Sequence, residues 1–298
     1  MSDETLDLTV FEGHPQSLVI TLLGSYVHPE ERTVWSGGLV RLLGELGFSV
    51  GAARVALARL TRRDLLARVR DGRLVHYRLT ARASSLLDEG DRRIFSLGRN
   101  LRPPEVWTVL WNGIPEDRRV QRVRLARRLR FLGFGSLQDG TWISPHDRDE
   151  EIRPLLDDLG VASHVAVLVG RPAGSVDFEP VVARAWEFDE LAIRYGAFVA
   201  AFGLYGDTRR ELDEREAFLV RTRLVHAFRD FALLDPGLPE DVVATDGYRA
   251  RAVSLFDELY ASLAAPAQRH FDETTAPPRR GDARARGRGR GPRLASVR

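Results

Sequence analysis

The sequence contains no cysteine, which excludes disulfide bonds, thiolate metal sites and cysteine nucleophiles. It also contains no lysine, so all 44 of its non-histidine basic residues are arginines. No apolar run approaches the about 18 residues that a membrane span needs. The stretch from Met1 to His14 has four acids and no arginine, so it lacks the basic N-terminal region of a secretory signal. These absences predict a cytoplasmic protein.

Motifs of catalysis are also missing. The histidines have no metal-ligand spacing, no Ser-His-Asp arrangement stands out, and neither a GxGxxG nor a Walker motif is present. The sequence therefore predicts a protein that is not an enzyme and that has no metal site and no cofactor.

Charge is distributed unevenly along the chain. The formal net charge of +2 is the balance of −4 over residues 1–14, +6 over 15–100, −7 over 101–276 and +7 over 277–298. A basic N-terminal part joined to an acidic body is typical of a nucleic-acid-binding protein that has a separate regulatory or assembly part.

Apolar periodicity predicts three helices near the N-terminus, over Ser17 to Val27, Trp35 to Leu46 and Val50 to Arg63. Ser49 is suited to cap the third helix. The inner face of this helix is predicted to consist of Val50, Ala53, Leu57 and Leu60.

A basic hairpin is predicted next, from Leu66 to Leu79, with Asp71-Gly72 as its two-residue turn. This turn would pair Arg70 with Arg73 and place both near the tip. His76 and Arg78 would lie on the opposite face, where a role in binding is less favoured. Thr80 would then cap a fourth helix, from Ala81 to Leu97.

Three helices, a basic hairpin and a fourth helix, in this order, are typical of a winged helix-turn-helix. We therefore predict a DNA-binding domain over residues 15–100, although a solvated helix face would also explain the outward arginines. The residues expected to contact DNA are Ser49, Gly51, Arg54, Val55, Ala58, Arg59, Arg62, Arg68, Arg70 and Arg73.

The middle of the chain, residues 105–172, predicts a ferredoxin-like βαββαβ domain. Its elements are expected at Val106 to Trp111, Glu116 to Leu132, Gly135 to Gln138, Thr141 to Ser144, Asp147 to Leu159 and His164 to Val169.

The first helix of this domain has seven arginines between Arg118 and Arg130. They could form a solvated face paired with acids, or they could bind phosphate, either of DNA or of a CoA ligand. The side chains predicted to be buried on this helix are Val120, Val123, Ala126 and Leu129.

Residues 179–272 predict a helical C-terminal domain, and the overall fold class is α+β. Its helices are expected to include Asp207 to Leu234 and Tyr248 to about His270. Residues 277–298 are rich in arginine, glycine and proline and are predicted to be disordered. A helical stripe of apolar side chains is predicted at Phe188, Leu191, Tyr195, Phe198, Phe202 and Tyr205.

The chain resembles the PaaX-type repressors, which regulate phenylacetate catabolism. The similarity is carried by SLVITLLGSYV, VWSGGLVRLL, ARVALARLTRRDLL and GRLVHYRLT in the first domain. It continues in IPEDRRVQRVRLARRLRFLGFGSLQDGTWISP in the second and in DPGLPED and LFDELYASL in the third. The resemblance implies a winged helix, a ferredoxin-like middle domain and a helical C-terminal domain.

The resemblance also implies a homodimer that binds double-stranded operator DNA and is released by an aryl-acyl-CoA such as phenylacetyl-CoA. Arginine suits the phosphates of such an effector and an aromatic-lined pocket suits its ring. We therefore expect Arg118, Arg122 and Arg127 to bind the effector.

Two other functions stay open. Small CRISPR-associated nucleases share the fold of the middle domain and have a metal-binding acid at the end of the first strand, where this chain has Asn112-Gly113. The winged helix could also serve protein–protein interaction. A metal-dependent cleavage assay and a salt-dependent DNA-binding measurement would distinguish these functions from repression.

Overall fold

The computed structural model describes residues 14–99, 103–138, 140–175, 177–206, 212–243 and 245–278. Helices and two small antiparallel sheets confirm the predicted α+β class. The described chain divides into two compact units. Unit 1 comprises 14–84 and 265–278, and unit 2 comprises the described residues of 85–264. No helix in these ranges is long and apolar enough to cross a membrane.

Unit 1 begins with α1 (Pro15–Tyr26), β1 (Val34–Trp35), α2 (Ser36–Glu45), α3 (Val50–Arg62), β2 (Leu66–Asp71) and β3 (Leu74–Leu79). The three predicted helices are confirmed to within two residues at each end. The short strand β1 was not predicted. It pairs with β3, Val34 opposite Tyr77, and gives the sheet the order β1-β3-β2.

Leucines at three- and four-residue spacing form the core of unit 1. Leu18 and Leu22 of α1, Leu39 and Leu43 of α2, and Leu57 of α3 are all at most 2% exposed. Each fully buried leucine contributes about 1.5–3 kcal/mol relative to an exposed one. The apolar periodicity of the sequence therefore reflects the burial of one face of each helix in the core.

The hairpin of β2 and β3 has a different register from the predicted one. Arg70 pairs with Val75 and Arg68 with Tyr77, so Gly72 and Arg73 form the two-residue loop. The prediction was wrong because an Asp-Gly pair suits a type I′ turn, which needs positive φ at both residues. Here Gly72, with φ 57°, occupies the first loop position, as in a type II′ turn, and Asp71 stays in the strand.

Helix α4 (Ala81–Ser96) follows β3 almost directly. The Thr80 hydroxyl accepts a hydrogen bond from the Ala83 N–H at 3.2 Å, as predicted for the cap, and donates one to the Asp64 carbonyl at 2.8 Å. The helix begins in unit 1, and its residues from 85 onward belong to unit 2.

Unit 2 continues with β4 (Trp107–Asn112), a 3-10 helix (Glu116–Arg118), α5 (Arg119–Phe131), β5 (Gly135–Gln138), β6 (Thr141–Ser144), α6 (Asp149–Leu159) and β7 (Val165–Gly170). All strand pairs are antiparallel and their order is β5-β6-β4-β7. Leu110 and Trp142 of the sheet pack with Leu125 and Leu129 of α5 and with Ile152 of α6.

The predicted buried face of α5 was wrong at two positions. Val120 is 61% exposed and Val123 is 60% exposed, whereas Leu125 and Leu129 are buried. At about 100° per residue, the two valines lie about 140–160° around the helix from Leu125. The longer leucine side chains fill the core, so the valines share the solvent-facing side with several arginines.

The remaining helices are α7 (Glu179–Ala185), α8 (Phe188–Gly206), α9 (Glu214–Leu234), α10 (Tyr248–Ser262) and α11 (Ala264–Thr275). Helix α9 starts later than predicted, at a capping box in which Asp213 and Glu216 bond each other's backbone N–H. The predicted start at Asp207 lies outside the described residues, as do residues 279–298 of the tail.

The single helix predicted from Tyr248 to about His270 is two helices, α10 and α11. Pro266 explains the break, since proline has no N–H and its ring clashes with the carbonyl four residues earlier, which belongs to Ser262. Proline is tolerated in a first turn, so α11 starts just before it. In unit 1, the Phe271 ring of α11 stacks on Tyr26 with centroids 5.0 Å apart.

Aromatic side chains form the helical core of unit 2. Phe228 stacks on Phe256 and Tyr195 stacks on Phe231, each pair with ring centroids 4.0 Å apart. Phe198 packs against Phe228 at 5.5 Å. The predicted stripe on α8 is confirmed, because Leu191, Tyr195 and Phe198 are buried and the others are half-buried.

Candidate nucleic-acid interface

Helix α3 is fixed in unit 1 by its cap and its buried face. The Ser49 hydroxyl accepts a hydrogen bond from the Ala52 N–H at 3.2 Å. Ala53, Leu57 and Leu60 are buried as predicted. Val50 was wrongly placed on this face: it is 51% exposed, because as the first helical residue it lies beyond the end of the buried stripe.

The opposite face of α3 and the arginines of the hairpin are open to solvent. All ten side chains or backbones predicted to contact DNA are exposed. On α3 each of them lies three or four residues from another, so they form one continuous stripe that Ser49 extends at the N-cap. They are Ser49, Gly51, Arg54, Val55, Ala58, Arg59, Arg62, Arg68, Arg70 and Arg73.

This surface has a strong excess of positive charge. Residues 49–82 contain nine arginines and two acids, a formal net charge of +7. Within the described ranges, the six arginines of the predicted set make no ion pair. Exposed like charges repel one another, and a polyanion relieves that repulsion.

The hairpin presents its arginines in two ways. Arg68 and Arg70 alternate along β2 and share one face with their partners Tyr77 and Val75. Arg73 lies in the loop itself. On the other face His76 is only 8% exposed, so it is a packed residue of the sheet and not a surface contact.

Two further exposed arginines, adjacent in sequence to these elements, were not considered in the sequence analysis. Arg63 is the C-cap of α3, and Arg82 lies in the first turn of α4. The run Arg62-Arg63 was a signal for the first of them. Nothing in the sequence distinguished Arg82 from any other exposed arginine at a helix start.

The three arginines predicted to bind an effector have different surroundings. Arg118 donates a hydrogen bond to the Gly160 carbonyl at 3.1 Å, and Arg122 forms an ion pair with Glu116 at 2.7 Å. Arg127 is exposed on α5.

At the end of β4, where the sequence has Asn112-Gly113, the Asn112 amide donates a hydrogen bond to the Gly140 carbonyl at 2.9 Å. The described residues contain no group of three or more histidines and acids that could hold a metal ion.

Three family models match the chain in succession. They are the PaaX-like protein model over residues 14–83, the central Cas2-like domain of PaaX proteins over 102–182, and the PaaX-like C-terminal domain over 186–273. These models define a PaaX-like protein with all three characteristic parts. The chain therefore belongs to the PaaX family.

Among curated proteins, the chain is similar to the transcriptional repressor PaaX of Escherichia coli (strain K12). The two are 26% identical over 248 residues, which cover 80% of this chain and 78% of the relative. Among solved structures, an uncharacterised protein from Mycobacterium tuberculosis matches 88% of this chain and 99% of its own, with 23% identity and a TM-score of 0.48.

Proposed function

We propose that this protein is a DNA-binding transcriptional repressor in which residues 15–100 form a winged helix-turn-helix. The observation that carries the proposal is the exposed arginine face of α3 and the hairpin, whose six predicted arginines have no ion-pair partner among the described residues. The curated relative is itself named a transcriptional repressor.

In the proposed complex, α3 is the recognition helix. Its 13 residues span about 20 Å, a length that can enter a major groove. Arg54, one turn from the N-terminus, reads base edges, and Arg59 and Arg62 contact bases or phosphates further along. Arg68, Arg70 and Arg73 contact the DNA backbone, which adds affinity without sequence preference.

We further propose that the repressor is a cytoplasmic homodimer, with a ferredoxin-like domain at 105–172 and a helical domain at 179–272. The strand order β5-β6-β4-β7 in an antiparallel sheet supports the first assignment. An aryl-acyl-CoA such as phenylacetyl-CoA would release the dimer from DNA by binding better to the free shape than to the DNA-bound shape.

We propose no catalytic activity, in line with the name of the curated relative. A nuclease and a protein-interaction module are the competing functions. Incubation of the intact chain with RNA and DNA in the presence of divalent metal tests the first, because a repressor leaves both substrates uncut.

The decisive experiment is selection of bound duplexes from a random DNA library by the full chain. The proposal predicts enrichment of a site with two related halves, spaced by about 10 base pairs between centres. Addition of phenylacetyl-CoA should lower the affinity for the selected site. Absence of any enriched sequence would contradict the repressor and favour the interaction module.

A further inference from the structure

A cavity of about 480 Å³ lies within unit 2. It is bounded by the C-terminal end of α4, the segment before α6 and the loop that follows α9. Its volume falls in the range of small-molecule sites, about 300–1,000 Å³. Its basic lining residues are Arg93, Arg99, His146 and Arg148.

Two of these arginines have unused hydrogen-bonding capacity. Arg93 donates from Nη2 to the Ala232 carbonyl, but its Nη1 is buried without a hydrogen-bond partner among the described residues. Arg148 pairs with Glu151 at 2.8 Å through Nη1, while its Nε is likewise buried and unpartnered in that part of the chain. Buried guanidinium N–H groups without acceptors are costly to the fold.

The two guanidinium groups are also close to one another. A Cβ built on Gly133 would lie 3.3 Å from Nη2 of Arg93 and 4.0 Å from Nη2 of Arg148. Burial, and then the charge of Arg148, lower the pKa of Arg93 to about 10. Arg93 still carries its charge at neutral pH, and no carboxylate of the described residues forms an ion pair with it.

Apart from Glu151, which pairs with Arg148, and the charge of Glu89, which acts on Arg93, the acids at the cavity do not compensate this pair. Asp235 is buried and is bound by the Tyr195 hydroxyl at 2.7 Å and by Arg249 at 3.4 Å. Glu105 is exposed, and the carboxylate of Asp147, also exposed, accepts a hydrogen bond from the backbone N–H of Asp149.

The loop after α9 is held rigidly, and it forms one wall. Arg249, 1% exposed, donates to the Leu238 carbonyl at 2.9 Å and to Glu240 at 2.7 Å. The Asp235 carboxylate accepts from the Gly237 N–H at 2.7 Å. These bonds fix the DPGLPED segment, so that Pro236 and Leu238 line the cavity beside its basic side.

We propose that this cavity binds a small organic anion, whose carboxylate or phosphate oxygens accept hydrogen bonds from Arg93 and Arg148. The apolar part of the ligand packs against Pro236 and Leu238. Arginine suits such oxyanions because its planar donors can bind two oxygens at once. The site differs from the predicted one on α5, since none of Arg118, Arg122 and Arg127 lines the cavity.

The proposal rests on the proposed repressor function and extends it, since it adds a site through which a small anion can act on the repressor. Arg93 lies in α4, the helix that begins at Ala81 directly after the hairpin. A ligand that binds Arg93 therefore contacts the same helix that follows β3. Ligand binding is therefore expected to change affinity for DNA.

The test is calorimetric titration of the full chain with phenylacetate, phenyl phosphate, inorganic phosphate and benzyl alcohol. We expect the two ring-bearing anions to bind and the neutral alcohol not to bind. The stronger of the two anions identifies the head group as carboxylate or phosphate. Binding of inorganic phosphate as tightly as both would mean an adventitious ion only, and would overturn the proposal.

Four variants locate the site. Arg93→Gln and Arg148→Gln should each weaken anion binding by about tenfold or more, because a charged hydrogen bond is lost. Arg124→Gln on α5, an exposed arginine with the same loss of charge, should bind like the parent. Arg93→Lys keeps the charge and should recover part of the affinity, which separates binding from folding.

Thermal unfolding gives a readout that a merely structural arginine would not produce. Removal of an uncompensated charge in Arg93→Gln should leave the unliganded midpoint unchanged or raise it, while the stabilisation by ligand disappears. No binding of any anion at millimolar concentration, or equal weakening by Arg124→Gln, would overturn the site. These titrations contain no DNA, so failure of the repressor function would not affect them.

Discussion

Arginine is used in two opposite ways at two sites, the face of α3 with the hairpin in unit 1 and the cavity with its neighbouring loop in unit 2. On α3 and the hairpin of unit 1, arginines are exposed and make no ion pairs with described residues. In unit 2, Arg249 is 1% exposed and contacts two carboxylates, and Arg93 and Arg148 have buried guanidinium nitrogens at a cavity. Because the residues compared are all arginines, the contrast comes from their surroundings and not from their side-chain chemistry.

Exposed and buried arginines can bind different kinds of partner. An exposed charge keeps its hydration, costs little when unpaired, and is available to a large polyanion whose binding weakens with salt. A buried charge loses hydration and needs a compensating group, either within the fold or from a small ligand. Substitution of the exposed arginines on α3 and the hairpin should therefore affect DNA binding. Substitution of the buried arginines of unit 2 should affect stability or ligand binding.

The largest expected effect is that of Arg249→Met. This change leaves Asp235, which has a fully buried side chain, without its cationic partner. We expect a loss of about 3–5 kcal/mol in the free energy of unfolding, measured by urea denaturation. Arg54→Met, the control in unit 1, should unfold like the parent. Equal stability of both variants would contradict the different roles of buried and exposed arginines.

Next in size is the effect of Arg54→Ala on recognition. Loss of a bidentate contact to a base should reduce specific affinity by about 1–3 kcal/mol, measured by fluorescence anisotropy at fixed salt on the selected site. The control is Arg124→Ala, which removes an exposed arginine from α5. If both variants bind like the parent, Arg54 has no part in base reading.

Replacement of both Arg70 and Arg73 by alanine should have a smaller effect, and one that does not depend on sequence. Each lost phosphate contact reduces the slope of log affinity against log salt by about 0.9, so the pair should reduce it by about 2. A loss confined to the selected site, with an unchanged slope, would mean that these residues read bases.

The smallest expected effect is on pH dependence, and it should arise in unit 2. Burial, followed by the charge of Arg229, lowers the pKa of His226 to about 4. Unfolded histidine titrates near 6.5, so the unfolded chain binds more protons below that pH, and stability falls from pH 6.5 toward 4.

At pH 5.5 the His226 contribution is about 1 kcal/mol, and His226→Gln should show a correspondingly shallower fall in urea denaturation. The DNA affinity of the folded protein should not change with this variant. An identical acid profile for variant and parent would show that His226 does not cause the pH dependence.

Much of the exposed face of α3 could be predicted from local patterns. Helix α3 lies where its apolar spacing and its Ser49 cap placed it, and its outward residues are exposed. The errors have local causes too: a glycine that sets the turn one residue later, and Pro266, which divides the last helix. The predicted buried face of α5 was wrong at Val120 and Val123, because the longer side chains of Leu125 and Leu129 fill the core.

The cavity could not be predicted. Arg93, Arg148 and the loop from Asp235 come together from three distant parts of the sequence, and no spacing in the chain links them. The DPGLPED motif contributes to the resemblance to the PaaX family. That its Asp235 and Glu240 bind Arg249 is evident only in the fold. Long-range pairings of this kind leave no periodic signal.

We expect DNA to bind to the arginines of α3 and not to exposed arginines in general. Two triple variants with the same loss of charge test it: Arg54, Arg59 and Arg62 replaced by glutamine, and Arg119, Arg124 and Arg127 replaced by glutamine. All six side chains are exposed. On the selected duplex at fixed salt, the α3 variant should lose about 100-fold or more in affinity. The α5 variant should lose less than about threefold, and equal losses in the two variants would contradict the claim.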